Sequence, residues 1–357
     1  MPAGPTEPSL SGVESPRPAQ RASMRVLTRG RIFVLVGAVV SAVSLWLALR
    51  RVSFDEVWAS LADAEWIWVL PCLALTYLTL LLRAVRWRYL FLEHDRVSTW
   101  ESAKAVNVGL LFNNILPSRA GEVPRIFALS RRTGISKVEI GGTIFVERCL
   151  DVLVIAVAAL VAWPFLPDDS WIQALCVVCG AIVAGFVVMT VLLVTFRQRA
   201  RGVALALLRR LPLVSDERAT TLTASLARGV HIVANPRRLA VALSISALVW
   251  AAATLSVFAL FPAFDIPLST SSAILVIVAT SLALTVPATS GGLGVYEAAV
   301  QASLVAVAVS ASTALSFALV LHAINFVPIC LTGVLASWGT LLGPRSDGAR
   351  TDEPVAR

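Results

Sequence analysis

The sequence predicts an all-α fold: a polytopic integral membrane helical bundle with about six full spans and two re-entrant or broken helical hairpins in inverted-repeat arrangement. Three observations predict it. Hydrophobic residues fill 57% of the 357 positions and charged residues 15%, where a soluble chain carries about 25% charged. Several apolar runs approach or exceed the roughly 18 residues that read as a crossing helix. In each half, one apolar segment is interrupted by Pro and Gly beside an acid, at Pro117–Glu122 and at Pro287–Glu297.

Residues 1–30, rich in Pro, Ser and Arg, are expected to form a disordered cytoplasmic tail. Ile32–Leu49 follows a basic flank, as a signal peptide would. Its apolar run is too long for that and no small-residue cleavage site closes it, so it reads as a first span. Arg50–Glu65 reads as a short acidic loop. Trp66–Leu82 spans back with Trp66 and Trp68 as interfacial anchors, and Arg83, Arg86, Arg88 and Arg96 then mark a basic side.

Ser98–Leu116 is only moderately apolar and carries Asn107, Asn113 and Asn114. Both of its flanks are basic, so a hairpin returning along Gly121–Leu129 keeps both on one side. Ile140–Trp163 spans outward, Pro164–Ser170 turns, and Trp171–Phe196 spans inward. Arg197–Arg238 holds nine arginines against Asp216 and Glu217 and is expected to be a cytoplasmic linker of amphipathic helices. Leu239–Phe261 spans outward. Thr270–Val286 and Val295–Val309 form the second broken hairpin, and Thr313–Trp338 spans inward. The expected organisation is a transmembrane domain at 31–342, with halves 66–196 and 239–340 around the linker 197–238, and a cytoplasmic tail at 343–357. Both termini then lie in the cytoplasm of a cell whose plasma membrane holds the chain.

The net charge of +8 follows from basic cytoplasmic loops. No basic stretch carries aromatics spaced for base stacking, which argues against nucleic acid. Cys72, Cys149, Cys176, Cys179 and Cys330 all lie in apolar segments and read as packing. The three histidines, His94, His231 and His322, are scattered. No metal site and no cofactor are expected.

Three charges inside Ile140–Trp163 require a reason. Glu147 lies about 10 Å along this helix and Asp151 about 16 Å, near mid-membrane. Facing lipid, Glu147, Arg148 and Asp151 would together cost roughly 7–10 kcal/mol, more than the roughly 4–8 kcal/mol that the apolar residues return. They must face protein or water. Glu147 and Asp151, four apart, share one face, and Arg148 can pair sideways. One reading is an internal ion-pair network; the other is a polar path for a charged headgroup. In the first broken segment, Arg119 and Arg125 beside free amides near Gly121 would suit a phosphate, with Glu122 as counter-charge. In the second, Pro287 stops one arm, Gly291, Gly292 and Gly294 allow a tight turn, and Glu297 opens the next arm where the helix dipole favours it.

These residues carry a resemblance. The run NNILPSRAGEVPR (Asn113–Arg125), the pentapeptide ERCLD (Glu147–Asp151), PATSGGLGVYE (Pro287–Glu297) and the basic turn RAVRWRYLF (Arg83–Phe91) resemble the transmembrane, flippase-like region of lysylphosphatidylglycerol synthases. The likeness is to the stand-alone relatives that lack the soluble aminoacyl-transfer domain. It implies a protein that binds or flips a lipid with a charged headgroup, a phospholipid or a polyprenyl-phosphate-linked lipid. The candidate headgroup-binding residues are then Arg83, Arg86, Asn113, Asn114, Arg119, Glu122, Arg125, Glu147, Arg148, Asp151, Gly291, Gly292, Gly294 and Glu297. No catalytic set is recognisable. Two alternatives stay open: a membrane-embedded transferase with Glu147 or Asp151 as base, or an accessory partner of a separate synthase or glycosyltransferase.

Overall fold

The computed structural model describes residues 35–50, 52–91, 97–116, 120–195, 206, 216–229, 232, 235–286 and 289–341. Among these it is helical throughout, without strands. In chain order the helices are α1 Leu35–Leu49, α2 Phe54–Ala62, α3 Val69–Leu90, α4 Thr99–Ile115, α5 Glu122–Thr133 and α6 Lys137–Ala162. Then come α7 Ser170–Thr195, α8 Asp216–Gly229, α9 Pro236–Leu260, α10 Thr270–Ala283, α11 Val295–Ala306 and α12 Ala311–Leu341.

Their starts are written locally. Ser53, Ser98 and Ser136 each stand three residues before a glutamate, and each hydroxyl accepts from that glutamate's amide at the start of α2, α4 and α6. Asn235 caps α9 from its side-chain oxygen. Gly134, with φ 73°, ends α5 and returns its N–H to Ser130.

Among the described residues, α3, α7, α9 and α12 are long and apolar enough to cross a membrane, and α1 with α2, bent by 80°, forms a fifth candidate. α6 has 26 residues, about 39 Å, but carries Glu147, Arg148 and Asp151. The arms α4, α5, α10 and α11 have 17, 12, 14 and 12 residues, each shorter than the roughly 20 of a crossing helix. Large apolar side chains such as Leu78, Leu81, Val177, Val188, Leu248, Leu255 and Leu335 are exposed, as expected of helices whose outer faces meet lipid.

Two expectations are corrected. The segment read as a loop, Arg50–Glu65, contains helix α2. And the second span does not stop at Leu82: α3 runs on to Leu90, so Arg83, Arg86 and Arg88 are helical and Arg86 is fully buried. The helix continues because the buried guanidinium meets carboxylates from α6, described below.

Two apolar clusters close the bundle. One gathers Cys72 of α3, Leu260 of α9, Phe261, Phe264, Val276, Val300 and Phe317. The other gathers Trp87 of α3, Ala242 of α9, Val108, Leu129, Ile140 and Leu150. Cys72 and Trp87 lie about 22 Å apart along α3, and α9 enters the two clusters in the opposite order. The charged residues described below, Arg86, Arg125, Glu147 and Asp151, stand at the edge of the second cluster beside Trp87 and Leu150.

Candidate functional site

Glu147 and Asp151 are 2% and 3% exposed. Arg125 of α5 donates from both terminal nitrogens to Glu147, at 3.1 and 2.7 Å. Arg86 of α3 does the same to Asp151, at 2.5 and 3.3 Å, and also lies 3.2 Å from Glu147. Such two-point pairs are the strong form of the contact. Arg148 reaches Glu147 at 2.7 Å, Asp151 at 3.5 Å and Glu122 at 3.8 Å. Glu122 also faces Arg125 at 3.6 Å. Neutral groups complete the set: Trp250 Nε1 donates to Asp151 at 2.9 Å, Arg86 donates to Ser246 Oγ at 3.2 Å, and the guanidinium of Arg125 lies 3.8 Å from the centre of the Trp87 ring.

Arg83 stands at the edge of this group, 5.3 Å from the centre of the Trp250 ring. Among the described residues it forms no ion pair. Four arginines (83, 86, 125 and 148) thus face three carboxylates (122, 147 and 151), an excess of one positive charge.

Beside the network opens a cavity of ≈ 590 Å³. Arg83, Glu122, Arg125, Arg148 and Asp151 reach it from α3, α5 and α6; Asn113 and Asn114 reach it from α4; Gly291 and Gly292 reach it from the second break. Glu147 and Arg86 stand behind this wall. The volume lies in the range of small-molecule pockets.

The second break meets the last turn of α4 at the cavity. A Cβ on Gly291, whose φ is 73°, would lie 3.8 Å from the Asn114 carbonyl oxygen and 2.9 Å from Phe326. Gly294, with φ 82°, approaches α1 so closely that a Cβ would fall 2.5 Å from the Ser41 oxygen. Glu297 accepts from the Gly294 amide at 2.7 Å and holds Nδ1 of His322 at 2.6 Å. Glu297 and Gly294 therefore sit behind the lining, while Tyr296, His322 and Asn325 reach the cavity.

Two expectations about the first break change. The Gly121 amide is not free, since it donates to Asn113 Oδ1 at 2.8 Å. Arg125 is committed to carboxylates, which leaves Arg148, whose side chain is 46% exposed, as the most accessible cation of the network. Arg119, Pro117 and Pro287 lie outside the described residues. Trp250, Ser246, His322 and Asn325 were missed from sequence. Each is a lone polar or aromatic residue in an apolar helix, and the only hint was the spacing of His322 and Asn325 on one face of α12.

Several long apolar helices with exposed apolar faces, and buried ion pairs beside a polar cavity between the halves, define a multi-pass membrane protein with a candidate site at that cavity. The family described as the lysylphosphatidylglycerol synthase TM region matches residues 34–333, and the chain belongs to that family. It is also 25% identical over 327 residues to a UPF0104 membrane protein of Methanothermobacter thermautotrophicus, a match covering 88% of this chain and 94% of the relative.

Proposed function

We propose that the protein binds and flips a membrane lipid with a charged or phosphate-containing headgroup, in the plasma membrane and with both termini in the cytoplasm. The observation that carries this reading is the cavity of ≈ 590 Å³, edged by Arg83 and Arg148 and set against a network with one cation in excess. A phosphate supplies the missing negative charge and accepts from guanidinium groups. α6 serves as a sixth crossing in this reading. α4–α5 and α10–α11 are re-entrant hairpins of opposite orientation whose tips share the cavity, the arrangement in which broken backbone at membrane depth is tolerated. The carboxylates of Glu147 and Asp151 are occupied by arginines, which favours binding over acid–base chemistry.

The test is to purify the protein in native lipid and identify co-purifying lipids by mass spectrometry, alongside Arg148→Ala. Removing Arg148 leaves Glu147 paired with Arg125 and Arg86, so folding is spared. A charge-assisted bond of about 1.5–3 kcal/mol is lost, and retained lipid should fall about tenfold or more. Equal lipid retention by Arg148→Ala and wild type overturns the reading.

A further inference from the structure

The charges of the cavity are confined to one side. Arg83, Glu122, Arg125, Arg148 and Asp151 belong to α3, α5 and α6. From α4, α10, α11 and α12, no Asp, Glu, Lys or Arg reaches the lining among the described residues. That side presents the amides and hydroxyls of Asn113, Asn114, Ser281, Tyr296 and Asn325, with the His322 imidazole among them.

These groups keep unused hydrogen-bonding capacity. The Ser281 hydroxyl has no partner among the described residues. Asn325 spends its amide nitrogen on the Leu321 carbonyl, at 2.9 Å, and on Tyr296, at 3.4 Å, which leaves its oxygen and the Tyr296 proton open. Asn113 uses only its oxygen and Asn114 only its nitrogen. His322 is held through Nδ1 by Glu297, so Nε2 is its remaining polar atom. An array of amide and hydroxyl donors and acceptors, with no carboxylate, lysine or arginine among them, matches hydroxyl groups, each of which both donates and accepts.

An ammonium group is disfavoured here by the excess of arginines. Both Asp151 oxygens and both Glu147 oxygens already meet arginines, and the surrounding charge is already positive by one; Glu122, whose Oε2 has no hydrogen-bond partner among the described residues, still stands between Arg125 at 3.6 Å and Arg148 at 3.8 Å, which repel a further cation. Glu297 lies behind the lining with both oxygens engaged.

We infer that the cavity takes a lipid phosphodiester whose headgroup is an uncharged polyol, with the phosphate at Arg83 and Arg148 and the hydroxyls against Ser281, Asn325 and their neighbours. This rests on the lipid-binding reading above and narrows it. A glycerol headgroup on a glycerophospholipid and a sugar on a polyprenyl phosphate share this chemistry.

The experiment measures binding to the full-length protein in phosphatidylcholine nanodiscs, by native mass spectrometry. The probes are phosphatidylglycerol, a polyprenyl phosphohexose, phosphatidic acid and phosphatidylethanolamine. At least one of the two polyol lipids should bind about tenfold more tightly than phosphatidylethanolamine, and the tighter of the two names the source. Ser281→Ala, which strands no partner, and Ser281→Ala/Asn325→Ala should weaken the polyol lipid by about threefold and tenfold and leave phosphatidic acid unchanged. If phosphatidylethanolamine binds as tightly as both polyol lipids, or if the double variant weakens all probes alike, the polyol assignment is overturned while the lipid-binding reading stands. If no probe binds and Arg148→Ala changes nothing, the lipid-binding reading itself falls.

Discussion

Glu147 divides its two oxygens among three guanidinium groups, from Arg86, Arg125 and Arg148. Glu147→Gln keeps the shape but turns an amide group toward cations and strands buried charge. The expected loss is about 3–5 kcal/mol of stability, read from thermal or denaturant unfolding of the purified protein. A loss under about 1 kcal/mol would show that the network contributes little to the fold. Arg86→Ala should be as damaging, since Arg86 is fully buried and serves both Asp151 and Glu147. Arg148→Ala should separate from both, with binding lost and stability kept. The need for partners was legible in the sequence, because three charges in one apolar helix cannot face lipid. The identity of the partners was less so. Arg125 lay in the suspected segment, but Arg86 was placed in a basic turn. Its contact with Asp151 spans 65 residues and that of Trp250 spans 99, distances at which no local pattern speaks.

At the scale of elements, the first hairpin depends on the close approach of two glycines. A Cβ on Gly121 would fall 2.0 Å from the Gly109 carbonyl oxygen and 2.7 Å from the Asn113 amide. Backbone cannot yield there as a side-chain tip can, so Gly121→Ala should pry α5 from α4 and lower the yield of folded protein severalfold in size-exclusion chromatography. Gly185 of α7 has nothing within 4 Å of its Cβ position. Gly185→Ala should be neutral or stabilising by about 0.5–1 kcal/mol. Equal yields from the two variants would remove the steric account of the hairpin. The breaks themselves were readable from Pro and Gly. The mode of their closure was not, because Asn113 and Glu297 each satisfy an amide that sequence leaves unassigned.

For the whole molecule, the decisive relation is that the second break packs on the last turn of α4: Gly291 stands against Asn114. The repeated pairing of an interrupted segment with an acid suggested that both segments serve one cavity, and its lining draws residues from both halves, while Pro117 and Pro287 themselves lie outside the described residues. The asymmetry of that lining was not foreseen. Glu297 was expected as a counterpart of Glu122, but it is turned to His322, so no carboxylate of the second half reaches the lining among the described residues. The topology has its own test. Asp168 and Asp265 are exposed in turns that begin and end long helices. Cysteines at these positions, in a background without the native thiols, should react with an impermeant maleimide in intact cells, and one at Ser215 should not. Labelling at Ser215 would invert the proposed orientation.

The order in which the paired charges occur along the chain bears on biogenesis. Arg86 is made 65 residues before Asp151, and Arg125 is made 22 residues before Glu147. Each cation therefore leaves the ribosome ahead of the acid that neutralises it. Released singly into lipid, α3 would carry the unpaired Arg86 guanidinium and α6 two carboxylates with Arg148 as their one internal partner, at roughly 2.5–3.5 kcal/mol for each charge left over. The insertion machinery must hold α3 until α6 arrives and let the two leave together with α5. Ser246 and Trp250 join still later, 160 residues after Arg86 and 99 after Asp151. A nascent chain stalled just before α6 should thus remain crosslinkable to the translocon through α3, and one stalled beyond it should not.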